Sequence, residues 1–198
     1  MKVASTHVFS APPDVVFAAL SSPEVMVAKY VALGHHDVKI VEHSHRAGIT
    51  SIRSRRGVPI DPPGFARRFF DPVTVVDQHD EWDPPMPDGS RWGIWQVSAR
   101  GVPVTTGGQM RLGPTSDGKG TVFEVTGEVN CPMPIVGGRI ASFIGADVER
   151  TMAAEASFME GYLREQAATD TGRAGGRGTK GSKETFQDPD PTPHRKAS

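Results

Sequence analysis

The fold is decided by residues 137–164, which read GGRIASFIGADVERTMAAEASFMEGYLR. Large apolar side chains recur here at steps of three and four, the spacing of one face of an α-helix. These apolar positions are Ile140, Phe143, Ile144, Val148, Met152, Met159 and Leu163. The pattern predicts a long amphipathic helix whose apolar stripe is wide enough to pack on a sheet.

Ahead of this helix, apolar and polar side chains alternate in several stretches, a period typical of β-strands. In the last of them Phe123, Val125 and Val129 share one face, while polar side chains share the other. We therefore expect an antiparallel sheet of about six to seven strands. The stretches are residues 2–10, 36–46, 49–55, 73–82, 91–100, 104–112 and 121–131.

Two short helices are predicted between the first two strands. Pro13 suits the first turn of a helix because its fixed φ is already helical, and residues 14–20 continue the pattern. Ser22-Pro23-Glu24 then supplies a capping hydroxyl, a proline at the first helical position and an early acid. The second helix is expected to end near Leu33, before Gly34. The element order predicts an α+β domain with helices on one face of the sheet.

The composition limits the classes of partner that we expect and indicates a cellular compartment. The 198 residues contain 22 Lys and Arg against 23 Asp and Glu, so no overall field attracts nucleic acid. No apolar run reaches the roughly 20 residues of a membrane span, which argues against stable membrane insertion. The single cysteine, Cys131, excludes an internal disulfide and a multi-cysteine zinc site. We expect a cytoplasmic protein without a cofactor; its protein partners are not indicated.

Apolar residues become scarce after Gln166. The remainder is rich in Gly, Thr, Lys, Arg, Asp and Pro, and Phe186 is its only large apolar residue. Such a segment cannot offset the entropy of ordering by burial. The sequence predicts one domain over residues 1–166 and a disordered tail over residues 167–198.

No motif assigns a catalytic residue or a metal ligand. His43 and His45 share a strand face, but no Cys and no clear carboxylate ligand stands beside them. Gly137-Gly138 lacks the spacing of a phosphate-binding loop and is explained by a tight passage into the helix. The order and spacing of a Ser-His-Asp triad are also missing. We predict neither a catalytic nor a metal site.

Two sets of residues are candidate ligand contacts. Trp92 and Trp95 have opposite parity on one strand, so one should face inward and the other should be exposed unless a bulge intervenes near Gly93. Arg53, Arg55, Arg56, Arg67 and Arg68 surround the proline-rich loop of residues 57–64. Of these arginines, Arg53, Arg55 and Arg67 are candidates to hold an anionic head group. The alternative is an ordinary solvated charge cluster.

Two segments carry a resemblance to a known superfamily. Residues 9–23, FSAPPDVVFAALSSP, resemble the opening of the START-like superfamily, also called SRPBCC, birch-pollen-allergen or polyketide-cyclase-like. Residues 132–145, PMPIVGGRIASFIG, and the strand end Asp80-Glu81-Trp82 are similar to an uncharacterised actinobacterial family within it. The resemblance covers roughly residues 1–166. It implies a helix-grip fold, with a curved sheet around the last helix and a cavity between them.

The expected function is binding or carriage of a small apolar, lipid-like or polycyclic ligand without catalysis. One alternative is a cyclase-like or hydrolase-like enzyme, for which His7, His79 and Asp80 are the titratable candidates. The other is a protein-interaction module with a filled core. The residues expected to line the cavity are Trp92, Trp95, Phe123, Val125, Val129, Ile140, Phe143, Ile144, Val148 and Met152.

Overall fold

The computed structural model describes residues 1–175, with side chains up to residue 169. It confirms the predicted order of one strand, two short helices, six further strands and a long last helix. The elements are β1 Lys2–Phe9, α1 Pro13–Leu20, α2 Pro23–Ala32, β2 His36–Arg46, β3 Ile49–Pro59, β4 Val73–Trp82, β5 Arg91–Ala99, β6 Thr105–Pro114, β7 Thr121–Asn130 and α3 Gly137–Gly175, with a short 3-10 turn at Arg67–Phe69 between β3 and β4.

The strands form a single antiparallel sheet in the order β1-β7-β6-β5-β4-β3-β2. Each strand from β2 to β7 pairs with its neighbour in sequence, whereas β1 pairs with β7. Helix α3 contacts β1 and β7, and the apolar core contains residues of both the sheet and this helix. The fold is therefore the helix-grip arrangement, and we call the side of the sheet that faces α3 the inner face.

Alternation along the strands decides which side chains face α3. In β4, Thr74, Val76, Asp80 and Trp82 are buried, while Val73 is exposed. In β5, Trp95 is buried and Trp92 is exposed, which confirms that the two indoles lie on opposite faces. Gly127 on β7 makes room for the inner one, because Cζ2 of Trp95 lies 2.6 Å from where a Cβ at position 127 would stand.

The helix boundaries agree with the capping signals except at the end of α3. Ser22 Oγ accepts a hydrogen bond from the Val25 N–H at 3.3 Å, as its position predicts. Helix α3 continues to Gly175, past residue 164, where the apolar stripe ends, and into the segment predicted as the tail. Alanines at 167 and 168 favour helix, and Thr169 Oγ1 donates to the Glu165 carbonyl at 2.9 Å. Residues 176–198 of the predicted tail lie outside the described residues.

Two further properties concern the described part of the chain. No single helix within residues 1–175 is long and apolar enough to cross a membrane; α1 and α2 meet the criteria of length and composition only as a pair, bent by 71°. Within the same residues, no group of three or more His, Cys, Asp or Glu side chains is placed to hold a metal ion.

Candidate functional site

A cavity of about 170 Å³ lies between the inner face of the sheet and α3. Most of its wall is apolar, and two indoles and a phenyl ring from β4, β5 and β7 contribute to it. The rings of Trp82 and Phe123 are 6.1 Å apart, and Phe17 of α1 packs edge-on against Trp82 at 5.8 Å. These contacts fix the orientation of the Trp82 ring. The main apolar lining residues are Trp82, Trp95, Val97, Met110, Phe123, Val125, Ile144, Val148 and Met152.

The loop between β3 and β4 contributes further apolar residues to the wall. Ile60 and Phe70 from this loop line the cavity. Phe70 packs edge-on against Phe143 of α3 with 6.2 Å between ring centroids, and the Arg139 guanidinium lies 3.9 Å from the centroid of Phe65. The loop is therefore attached to the first turns of α3 by ring and cation contacts.

The polar part of the wall begins with a nearly buried ion pair. Lys29 of α2 donates to Glu155 of α3, with Nζ 2.6 Å from Oε2. The Lys29 side chain is only 8% exposed. Burial alone would lower the pKa of Lys29, but the Glu155 carboxylate more than compensates and holds that pKa above its ordinary value. Lys29 is therefore charged at neutral pH, and its charge is balanced by Glu155.

A second polar group runs from Arg56 of β3 to Asp80 of β4 through Gln78. Arg56 donates to Gln78 Oε1 at 2.7 Å, and the Tyr30 hydroxyl donates to the same oxygen at 3.0 Å. These two donors fix the orientation of the amide, so Gln78 Nε2 donates to both carboxyl oxygens of Asp80 at 2.9 Å. Arg56, Gln78 and Asp80 all line the cavity. The wall thus combines an apolar surface with ordered donors and acceptors.

The buried surroundings of Asp80 change the pKa of its carboxyl group. Burial raises the pKa of Asp80 above its ordinary value, and the hydrogen bond from Gln78 and the charges of Lys29 and Arg56 oppose that rise only in part. A carboxyl group with a raised pKa inside an apolar cavity can exchange a proton at higher pH than an exposed one. The cavity wall consequently includes a carboxyl group, that of Asp80, suited to acid–base chemistry.

His35 follows α2 and stacks on Tyr30, with 5.4 Å between ring centroids. Burial, followed by the Arg56 charge, lowers the pKa of His35 to about 4 from its ordinary 6.5. Between these two values the unfolded chain binds a proton that the folded chain does not, so stability falls as the pH is lowered through this window. Above pH 6.5 the imidazole of His35 is neutral in the folded and in the unfolded chain, so it no longer reduces the stability.

We expect His35→Phe to lose less stability than the natural chain when the pH is lowered from 7 to 4.5. The imidazole is only half-buried, so solvent screening limits the difference to about 1 kcal/mol. Urea unfolding at both pH values measures it, and the contribution of Asp80 cancels in the comparison. Equal losses in the two proteins would show that His35 does not titrate abnormally.

Six of the expected apolar contacts do line the cavity. They are Trp95, Phe123, Val125, Ile144, Val148 and Met152. The other four lie elsewhere. Val129 and Ile140 are buried in the core. Phe143 packs on Phe70, and Trp92 is 44% exposed on the outer face of the sheet. Helical and strand periodicity selects the buried face correctly, but it does not separate the cavity wall from the solid core.

The three arginines expected to hold a head group do not line the cavity. Arg53 and Arg55 point to the outer face, where they pair with Glu42 at 3.2 Å and Asp77 at 2.6 Å. Arg67 is exposed, and its Nε donates to the Pro62 carbonyl at 3.4 Å. The prediction for these three arginines is wrong because successive side chains of β3 point to opposite faces of the sheet. Arg56, and not Arg53 or Arg55, points to the inner face. Arg56 is therefore the arginine of that cluster whose charge reaches the cavity.

Only one of the three titratable candidates lines the cavity. Asp80 does, whereas His79 lies on the outer face, with Nε2 3.0 Å from Ser51 Oγ and 3.9 Å from Glu81. His7 lies outside the cavity wall, 3.9 Å from Glu160 of α3. Lys29, Gln78 and Glu155 are further polar residues of the wall, and they are not among the predicted site residues. A signal existed, because Glu155 follows Val148 and Met152 on the apolar stripe of α3 at helical spacing.

Solved structures share this architecture at low sequence identity. TTHA0849 from Thermus thermophilus has a TM-score of 0.58 and 15% identity, over 84% of this chain and 99% of that chain. The Zhui aromatase/cyclase from a Streptomyces species gives 0.56 and 18%, over 84% and 95%. A START superfamily protein from Mycobacterium smegmatis gives 0.50 and 14%, over 83% and 98%.

The similarity to these structures is one of fold. No curated protein matches the chain significantly. A family model described as "protein of unknown function (DUF2505)" matches residues 4–163, which is most of the chain and nearly all of the sheet-and-helix domain. The chain therefore belongs to the DUF2505 family and has the START-like helix-grip fold.

Proposed function

We propose that this protein binds a small ligand with an apolar ring in the cavity between the sheet and α3, without catalysis. The observation that carries the proposal is the cavity itself, about 170 Å³ in volume, with both aromatic rings and ordered polar groups in its wall. A cavity of about 150 Å³ lined by apolar side chains can hold benzene. Each Å² of apolar ligand surface buried here contributes about 25 cal/mol.

The volume favours a single ring over the larger ligands that the superfamily resemblance suggests. Pockets for drug-sized molecules measure roughly 300–1,000 Å³, well above the value found here. A polycyclic or lipid-like ligand would need the loop of Ile60 and Phe70 to move away from α3. The same volume exceeds the space of a few waters, at about 30 Å³ each, and so disfavours the interaction module with a filled core.

A second candidate function is catalysis of proton transfer, and Asp80 is the observation that favours it. Its raised pKa and its place in the cavity wall suit a general acid or base. One of the structural neighbours is an aromatase/cyclase, which makes such chemistry compatible with the fold. Under this alternative, Asp80→Asn would abolish turnover but keep ligand affinity, whereas a binding protein has no turnover to lose.

Filling the cavity should prevent binding. Ala99 of β5 lines the cavity, while the adjacent Ser98 is exposed on the outer face. We expect Ala99→Phe to abolish the rise in melting temperature that single-ring aromatic compounds produce in the natural chain. Ser98→Phe adds the same ring one residue away and should keep the full rise. Thermal unfolding with a panel of ring compounds measures both.

Three results bear on this proposal. Loss of the shift in Ala99→Phe alone supports it. A shift of equal size in the natural chain and in Ala99→Phe would place the ligand elsewhere and contradict it. The absence of any shift in the natural chain, at concentrations up to solubility, would also contradict it.

A further inference from the structure

Arg56 is a buried cation without a carboxylate in direct contact. Its side chain is held on three sides by neutral groups: the Tyr30 ring, 3.8 Å from Cζ to the centroid, Gln78 Oε1 at 2.7 Å and Ser54 Oγ at 3.3 Å. The residue is only 5% exposed. Within the described residues no ion pair joins Arg56 to an acid, whereas its neighbour Lys29 has Glu155 at 2.6 Å.

One donor of this guanidinium is unused. Nε of Arg56 is buried and has no hydrogen-bond partner among the described residues. A buried charge and a buried donor are both costly unless a partner satisfies them. The planar fork of a guanidinium matches a carboxylate, which accepts two parallel hydrogen bonds from it. Because Arg56 lines the cavity, a bound ligand can supply the counter-charge that the guanidinium lacks.

Asp80 is the carboxyl group linked to Arg56 through a shared hydrogen-bond partner, but it does not contact Arg56 directly. Gln78 stands between them, accepting from Arg56 through Oε1 and donating to Asp80 through Nε2. The remaining groups around Arg56 are the Lys29–Glu155 pair, whose charges cancel, the Tyr30 hydroxyl and the neutral ring of His35. Asp80 therefore balances Arg56 only through an amide, and it would repel an acidic ligand placed nearby.

We propose that the ligand is a small organic acid, whose carboxylate pairs with Arg56 and whose ring lies against the wall formed by Val97 and Trp95. These two residues stand opposite Gln78 and Asp80 in the β4–β5 pairing, and both line the cavity. A carboxylate near Gln78 thus has an apolar wall beside it on the neighbouring strand. This inference rests on the proposed binding function and specifies its ligand class.

Isothermal titration of the full chain with benzoate, benzamide and benzyl alcohol tests the inference. The three compounds share one ring, and benzoate alone among them is charged at neutral pH. We expect benzoate to bind at least 10-fold more tightly than benzamide, and Arg56→Gln to erase that preference. Asp80→Asn removes the repelling acid and should tighten benzoate binding severalfold. Arg53→Gln, on the same strand but on the outer face, should change nothing.

The outcomes separate this inference from the proposed function. If benzamide or benzyl alcohol binds as tightly as benzoate, the acid inference is overturned and the binding function stands. If none of the three compounds binds at millimolar concentration, both fall. The comparison of compounds on the natural chain and on Asp80→Asn decides the matter even where Arg56→Gln does not fold.

Discussion

Glu155→Ala is expected to destabilise the protein by about 3–5 kcal/mol. The substitution leaves the Lys29 ammonium, only 8% exposed, without the carboxylate that stands 2.6 Å from it. An uncompensated buried charge is costly, and neither Tyr30 nor any other neutral neighbour can replace the missing charge. Denaturant unfolding at pH 7 measures the effect as a drop in the free energy of unfolding.

Two controls separate charge burial from loss of packing. The double variant Lys29→Met, Glu155→Met should recover most of the lost stability, because an apolar pair of similar size needs no counter-charge. Glu42→Ala breaks the exposed pair with Arg53 and should cost less than about 1 kcal/mol. A cost below about 1 kcal/mol for Glu155→Ala would mean that water reaches Lys29 and that the polar wall is not enclosed.

Trp95→Ala should also cost about 3–5 kcal/mol, because it removes the largest buried side chain of β5 and enlarges the cavity. Trp95 is 5% exposed, and its indole Nε1 donates to the Thr126 carbonyl at 3.1 Å. The same substitution should weaken binding of any ring compound, since the indole forms part of the cavity wall. Denaturant unfolding and the thermal panel measure the two effects.

Trp92→Ala is the matched control, three residues away on the opposite face of the same strand. Trp92 contacts Arg111 with 5.7 Å between Cζ and the ring, so its loss should cost at most about 1 kcal/mol. Ligand affinity should not change. Equal costs for the two substitutions would contradict the assignment of the inner and outer faces of β5.

Much of the fold could be predicted because its signals are local. The apolar stripe of α3 and the prolines that open α1 and α2 are patterns of adjacent residues, and the structure contains the elements that they predict. The three-residue spacing of Trp92 and Trp95 is also a local signal, because it places the two side chains on opposite faces of a strand. Two element ends differ most from the prediction: β3 continues to Pro59 instead of ending at residue 55, and helix-favouring alanines carry α3 past its last large apolar residue.

The candidate site was harder to predict because it depends on contacts between distant segments. Lys29 and Glu155 are separated by 126 positions, and although helical spacing places Glu155 on the apolar stripe of α3, it does not indicate Lys29 as its partner. Strand β3 presents Ser54 and Arg56 on its inner face, so its buried side reads as polar and the inward arginine is not distinguished from Arg53 or Arg55. Alternation assigns the faces of a strand only when the buried face is apolar.

Native mass spectrometry of the full chain, purified from its own host, shows whether the cavity holds one small ligand. We expect a mass increase that corresponds to one molecule with a single ring and an acidic group, present in the natural chain and absent from Ala99→Phe. Identical masses for the two proteins, corrected for the substitution and unchanged after benzoate is added, would show that the cavity holds no such ligand.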